Sequence, residues 1–171
     1  MRHLQRTLVA CLLTVAPSAL AADAPPKPVQ DLDRLVGHWK GTAMLAMDGK
    51  QSPLTVDIDC SKGAGGFGVR CTTAFGGMPG VGAYAEADLF GYEPNSGKYH
   101  WFAVTNGGET HDHMAVTFGD TSRWVYEGMQ DGKPMREAID LTFKDGKSFD
   151  CKVETLLGGA SVATLTIAVK K

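Results

Sequence analysis

Apolar and polar residues alternate along most of the chain from residue 37 onward, and turn residues break the alternation at short intervals. Asp48-Gly49, Gly65-Gly66, Pro94-Asn95-Ser96-Gly97, Asn106-Gly107, Asp131-Gly132, Asp145-Gly146 and Gly158-Gly159 each separate two runs of about one strand. A period of two bounded by Asp-Gly, Asn-Gly or Gly-Gly marks half-buried strands joined by tight hairpins. Helical spacing occurs at Val29, Leu32, Leu35 and Val36, an apolar stripe directly before the first strand. The pattern predicts an all-β, up-and-down antiparallel sheet of about ten strands, preceded by a short capping helix.

Register tests this reading, because opposed residues in a hairpin share a face. A two-residue turn at Asp48-Gly49 opposes Leu45 to Ser52, Ala43 to Leu54, Gly41 to Val56 and Trp39 to Ile58. With the next turn at Gly65-Gly66, Phe67 and Val69 continue that face and Cys60 meets Cys71. Toward the C-terminus, three-residue loops oppose Phe143 to Phe149, Leu141 to Cys151 and Ile139 to Val153, then Val153 to Ala163, Cys151 to Leu165 and Phe149 to Ile167. About ten sequential strands are too many for a comfortable open twisted sheet, and closure into a barrel removes both edges. A barrel of that size has room for a small ligand, and the small inward residues Gly41, Ala43, Gly128 and Ala163 favour space over filling. Function is expected inside the barrel or at its mouth.

Composition narrows the class. At 171 residues, 43% hydrophobic and 21% charged, the chain is expected to form one globular domain, not a disordered tail or a polytopic membrane protein. A net charge of -2 leaves no Lys/Arg excess for tracking nucleic acid. Residues 1–21 read as an export signal: Arg2 and Arg6, an apolar run from Leu8 to Ala16 that includes Cys11, then Ala19-Leu20-Ala21 as the cleavage site. The Ala/Pro-rich residues 22–28 read as a flexible lead-in, and 29–171 as one barrel domain. The expected product is a mildly acidic periplasmic or secreted protein without integral membrane association.

The start of the first strand, Leu35-Val36-Gly37-His38-Trp39-Lys40-Gly41, resembles the opening of lipocalin-like (calycin) barrels, in which Gly-x-Trp follows a short helix. Leu89-Phe90-Gly91-Tyr92, Tyr99-His100-Trp101 and the Asp131-Gly132-Lys133 hairpin are similar to an uncharacterised family of secreted bacterial lipocalin-like domains. The resemblance implies a barrel that binds a hydrophobic or amphipathic small molecule, with Trp39 packed across the closed end and no catalytic residue to carry over. The lipocalin motif that lays an Arg over that Trp is not evident after Trp124.

Several residue groups could carry chemistry. Cys60 and Cys71 are the expected disulfide in an oxidising compartment, although Cys151 could take either as a partner and is otherwise a small buried hydrophobe. His111 and His113 share one face of a strand, and a turn at Asn106-Gly107 would bring His100 opposite His113. Three such imidazoles, with Glu109 in support, could hold a divalent metal with an open position. Yet the alternate face (Tyr99, Trp101, Ala103, Met114, Val116, Phe118) is the more apolar and would turn the histidines outward; with the face reversed, they could meet an anionic head group or a haem iron. Tyr126 and Glu137 should oppose each other across Asp131-Gly132, as a structural pair or as groups that orient a ligand. Gly76–Gly82 is long and glycine-rich for a meander connection, which suggests a mobile portal loop. Gly63-Ala64-Gly65-Gly66-Phe67-Gly68 matches the dinucleotide pattern in letters, but a strand and not a helix follows. The absence of G-x-S-x-G, P-loop, H-E-x-x-H and paired C-x-x-C motifs weighs against an enzyme.

Three readings follow. The first is an exported, non-catalytic barrel for a hydrophobic or amphipathic ligand, lined or closed by Trp39, Val56, Phe67, Trp124 and Tyr126, with Glu137 fixing orientation. The second is a metal- or haem-dependent protein built on His100, His111 and His113. The third is an interaction module whose partner surface includes Phe102 and Val104.

Overall fold

The computed structural model describes residues 24–171. The proposed export signal and Cys11 lie outside them. Ten strands run in sequence: β1 (Gly37–Met47), β2 (Lys50–Gly63), β3 (Gly68–Met78), β4 (Gly82–Glu93), β5 (Lys98–Thr105), β6 (Thr110–Thr117), β7 (Thr121–Gln130), β8 (Lys133–Phe143), β9 (Ser148–Leu157) and β10 (Ala160–Lys170). Each pairs antiparallel with its sequence neighbour, and β1 pairs with β10 to close the barrel.

Turn chemistry sets much of the register. Asp48 and Gly49 (φ 52° and 71°) and Asp131 and Gly132 (φ 50° and 73°) are left-handed at both central positions, the hairpin geometry that matches strand twist. Trp39 therefore faces Ile58, Tyr126 faces Glu137, and Cys60 faces Cys71, to which it is disulfide-bonded. Cys151 is free and buried.

Two hairpins depart from the expected register. Between β5 and β6 the turn takes Asn106–Gly108, closed by the Glu109 carbonyl opposite it, which accepts the Thr105 N–H (2.9 Å), and by the Thr105 hydroxyl, which accepts from Gly107 and Glu109 (3.2 and 3.3 Å). Trp101, not His100, consequently opposes His113. A one-residue slip changes which side chains share a face: His111 and His113 join Trp101 and Ala103 inside, while Met114 and Val116 stand exposed. Between β9 and β10 a tight turn at Gly158-Gly159 and an irregularity around Val162 pair Val153 with Leu165, Cys151 with Ile167 and Phe149 with Val169. That shift is by two residues, so the apolar face stays inside.

Three further expectations are corrected. Phe67 follows the short turn Ala64–Gly66 and is exposed, so it does not continue the inner face, although Val69 does. The anticipated portal loop is mostly strand: β3 reaches Met78, and Met78 pairs with Gly82. Neither Gly41 nor Gly128 contributes open space. A Cβ on Gly41 would lie 1.9 Å from the Ala168 carbonyl oxygen, and the Tyr126 hydroxyl occupies the place of a Cβ on Gly128, 2.1 Å from it.

One end of the barrel is plugged. Helix α1 (Lys27–Asp31), which starts inside the segment read as a lead-in, and the 3-10 turn Leu32–Leu35 bury Val29, Leu32 and Leu35. Trp39 is fully buried beneath them, donates its indole N–H to the Leu35 carbonyl (2.8 Å) and meets Phe149 edge-on at 4.9 Å. The cation over the Trp39 ring is Lys171, at 4.3 Å. Arg34 lies over Phe143 and pairs with Asp120 at 3.3 Å.

A candidate ligand cavity

The barrel encloses a cavity of about 470 Å³. Strands β8 to β10 and β1 to β2 give it an apolar wall that includes Ile139, Leu165, Ile167, Leu45 and Ile58. Tyr84, Glu86 and Asp88 from β4, His111 and His113 from β6, and Glu137 from β8 form a polar wall. Met78, Pro79 and Val81 also line the cavity, so the glycine-rich connection does border it.

The polar wall follows from strand periodicity. On β4 the inward residues are Tyr84, Glu86, Asp88 and Phe90, while Ala85, Ala87 and Leu89 point out. Glu137 is the hub: its Oε2 accepts from His113 Nε2 (2.8 Å) and His111 Nδ1 (3.1 Å). Burial alone would raise its pKa, but the two imidazoles outweigh burial and hold it at about 2. The hydrogen bond to Glu137 raises the His111 pKa against the opposing effect of burial. Tyr126 stacks on His111 with centroids 4.2 Å apart.

Asp88 accepts from the Trp101 indole (2.7 Å) and the Thr73 hydroxyl (3.1 Å). Burial still pushes its pKa up. Glu86 is pushed up to about 8, by burial first and then by the charges of Asp88 and Glu137, against the opposing effect of the nearby Tyr84 hydroxyl. Burial also raises the Tyr84 phenol and the Cys151 thiol, which leaves Cys151 a protonated, poor nucleophile.

The residues singled out from sequence are divided by the structure. Trp39 and Glu137 line the cavity; Val56 and Trp124 are buried but do not line it, and Tyr126 sits behind His111. Phe67 is outside the barrel interior. His111 and His113 come together, whereas His100 lies on the outer face with Nδ1 3.1 Å from Asp112. Glu109 lines the cavity apart from the ligating atoms of the His111, His113 and Glu137 group. Phe102 and Val104 are exposed. Sequence reasoning missed Glu86 and Asp88, yet a signal existed: extending the Cys60–Cys71 register by one hairpin pairs Cys71 with Asp88 and Thr73 with Glu86, which puts both carboxyls inside.

Chemically, His111, His113 and Glu137 present ligating atoms within 4.8 Å of one another. Ligands about 2.1 Å from a metal stand roughly 3 Å apart, so the spacing that serves these hydrogen bonds also suits a bound ion. Among the described residues no helix is long and apolar enough to cross a membrane, and the disulfide fits an oxidising compartment.

The architecture, a closed up-and-down barrel of ten antiparallel strands, fits a lipocalin-like, calycin-type fold. No family model matches the sequence, and no curated protein does. Among solved structures the chain is similar to the crystal structure of Rv2717c from M. tuberculosis, with a TM-score of 0.64 at 13% identity over 86% of this chain and 99% of that one. It is also similar to the S-type phycobiliprotein lyase CPES from Guillardia theta, with a TM-score of 0.51 at 12% identity over 82% and 89% of the two chains. At such identities the likeness is one of fold.

Proposed function

We propose that this protein is an exported, non-catalytic binder of an amphipathic small molecule and belongs with the secreted bacterial lipocalin-like domains. The observation that carries the reading is the cavity of about 470 Å³ with one apolar and one polar wall. Ligand sites typically span about 300 to 1,000 Å³, mostly apolar, with a few converging polar groups that fix orientation. Glu137, held by His111 and His113, supplies such a group, and Trp39 forms part of the floor.

Titration with the neutral apolar dye Nile red tests this reading. Saturable binding that Ala163→Trp weakens about tenfold is expected, because an indole from β10 would fill part of the cavity. Unchanged binding in a folded Ala163→Trp protein would place the dye elsewhere and overturn the reading.

A second reading is favoured by the His111, His113 and Glu137 group: a divalent metal or a haem iron held inside the barrel. Elemental analysis and an absorbance spectrum of untagged protein test it. Stoichiometric metal or a Soret band that disappears in His113→Ala would support it, and a colourless, metal-free protein that takes up no added zinc would end it.

A further inference from the structure

We propose that the cavity selects cationic amphiphiles, specifically primary amines with an apolar tail, whose ammonium sits against Glu86. This deepens the cavity-binding reading and rests on it. Among the described residues the lining contains four carboxyl groups, Glu86, Asp88, Glu109 and Glu137, and two imidazoles, but no Lys or Arg. Lipid carboxylates and phosphates need donors or positive charge, and most of the donors here are already committed to carboxyl groups. His111 and His113 point N–H groups at Glu137, and the Trp101 indole donates to Asp88. Arg34 and Lys171 lie at the plugged end over Phe143 and Trp39.

The acceptors are in the opposite condition. Asp88 and Glu137 are engaged by neighbouring side chains, while among the described residues Glu86 has no hydrogen-bonded partner and only the Tyr84 hydroxyl nearby. Strand neighbours Thr73 and Thr105 bring no charge to it. Burial keeps Glu86 largely protonated in the empty barrel, and an arriving ammonium supplies the counter-charge that makes its carboxylate favourable. The rings of Tyr84 and Trp101 line the same wall and add surfaces that favour a cation. The tail would run along Ile139, Leu165 and Leu45.

The test compares dodecylamine, dodecanol and dodecanoate, which share a tail and differ in head charge, by calorimetry with purified protein in metal-free buffer at pH 7. Dodecylamine should bind at least about tenfold more tightly than dodecanoate. In Glu86→Gln, with folding verified by near-ultraviolet circular dichroism, the ratio of amine to alcohol affinity should fall about tenfold. Dodecanoate binding as tightly as the amine, or an unchanged ratio in Glu86→Gln, overturns the charge selectivity and leaves the cavity reading intact. If none of the three binds, the cavity reading itself fails and the selectivity falls with it.

Discussion

The plugged end of the barrel and the middle of its cavity use charge in opposite ways. At the plugged end Arg34 and Lys171 lie over aromatic rings that the barrel has already packed, so the cations cover a finished core. Midway along, carboxyl groups project into open space and are held by imidazole, indole and hydroxyl groups. The first arrangement stabilises a fold, whereas the second keeps acceptors in a place where packing alone would not put them. Buried polar groups cost stability unless they are paired, so a half-paired set is better explained by a ligand than by folding.

Removing the plug should have the largest effect. Trp39→Ala deletes the fully buried indole, its bond to Leu35 and its contact with Phe149. Loss of about 4 kcal/mol and a fall in Tm of about 10 °C are expected by thermal or urea unfolding. A loss below about 1 kcal/mol would mean that the plug is not the structural end of the molecule.

Acid tests the middle. The folded pKa of Glu137 is depressed from its ordinary 4.5 to about 2, so its contribution is complete above the unfolded value and fades as pH falls between the two. About 3 kcal/mol of stability should disappear across that window, and Glu137→Gln should flatten the profile there. Equal acid sensitivity in the variant would assign the loss to other carboxylates.

Glu86 should behave in the reverse sense. Its folded pKa is raised from 4.5 to about 8, so the unfolded chain releases a proton that the empty barrel retains, and stability declines as pH rises between those values. Glu86→Gln removes that penalty and should stabilise the ligand-free protein by at least about 2 kcal/mol at pH 8 and not at pH 4. Stabilisation combined with loss of amine preference would separate the site from the scaffold. Destabilisation at pH 8 would make Glu86 a structural residue.

The barrel was readable because its evidence is local and repeated: Asp-Gly turns specify hairpins, and hairpins specify faces. The same logic makes Cys60 and Cys71 the expected partners, with Cys151 open as an alternative, and places Tyr126 opposite Glu137. It fails where a turn holds one residue more than its Asn-Gly letters indicate. Asn106-Gly107 taken as the whole β5–β6 turn leaves out Gly108, and that one residue brings His100 toward the metal group and makes Met114 and Val116 look internal. Glu86 and Asp88 were hidden for a different reason. Polar residues on an inward face contradict the expectation that the apolar side of a strand is the inner one, and β4 exposes Leu89 while burying Asp88. Such reversals concentrate where function competes with packing.

The smallest expected effect checks that corrected register. His100 stands on the outer face against Asp112, with half-exposed side chains that water can replace. His100→Ala should therefore change unfolding stability by no more than about 0.5 kcal/mol and leave the Nile red affinity unaltered, since exposed ion pairs contribute little. The alternative pairing makes the contrary prediction. If β5 and β6 joined through a two-residue turn, His100 would face His113, and its removal would disturb any metal or ligand bound there. A clear loss of binding in His100→Ala, with His111 and His113 intact, would reject the three-residue turn and with it the present assignment of inner and outer faces on these strands.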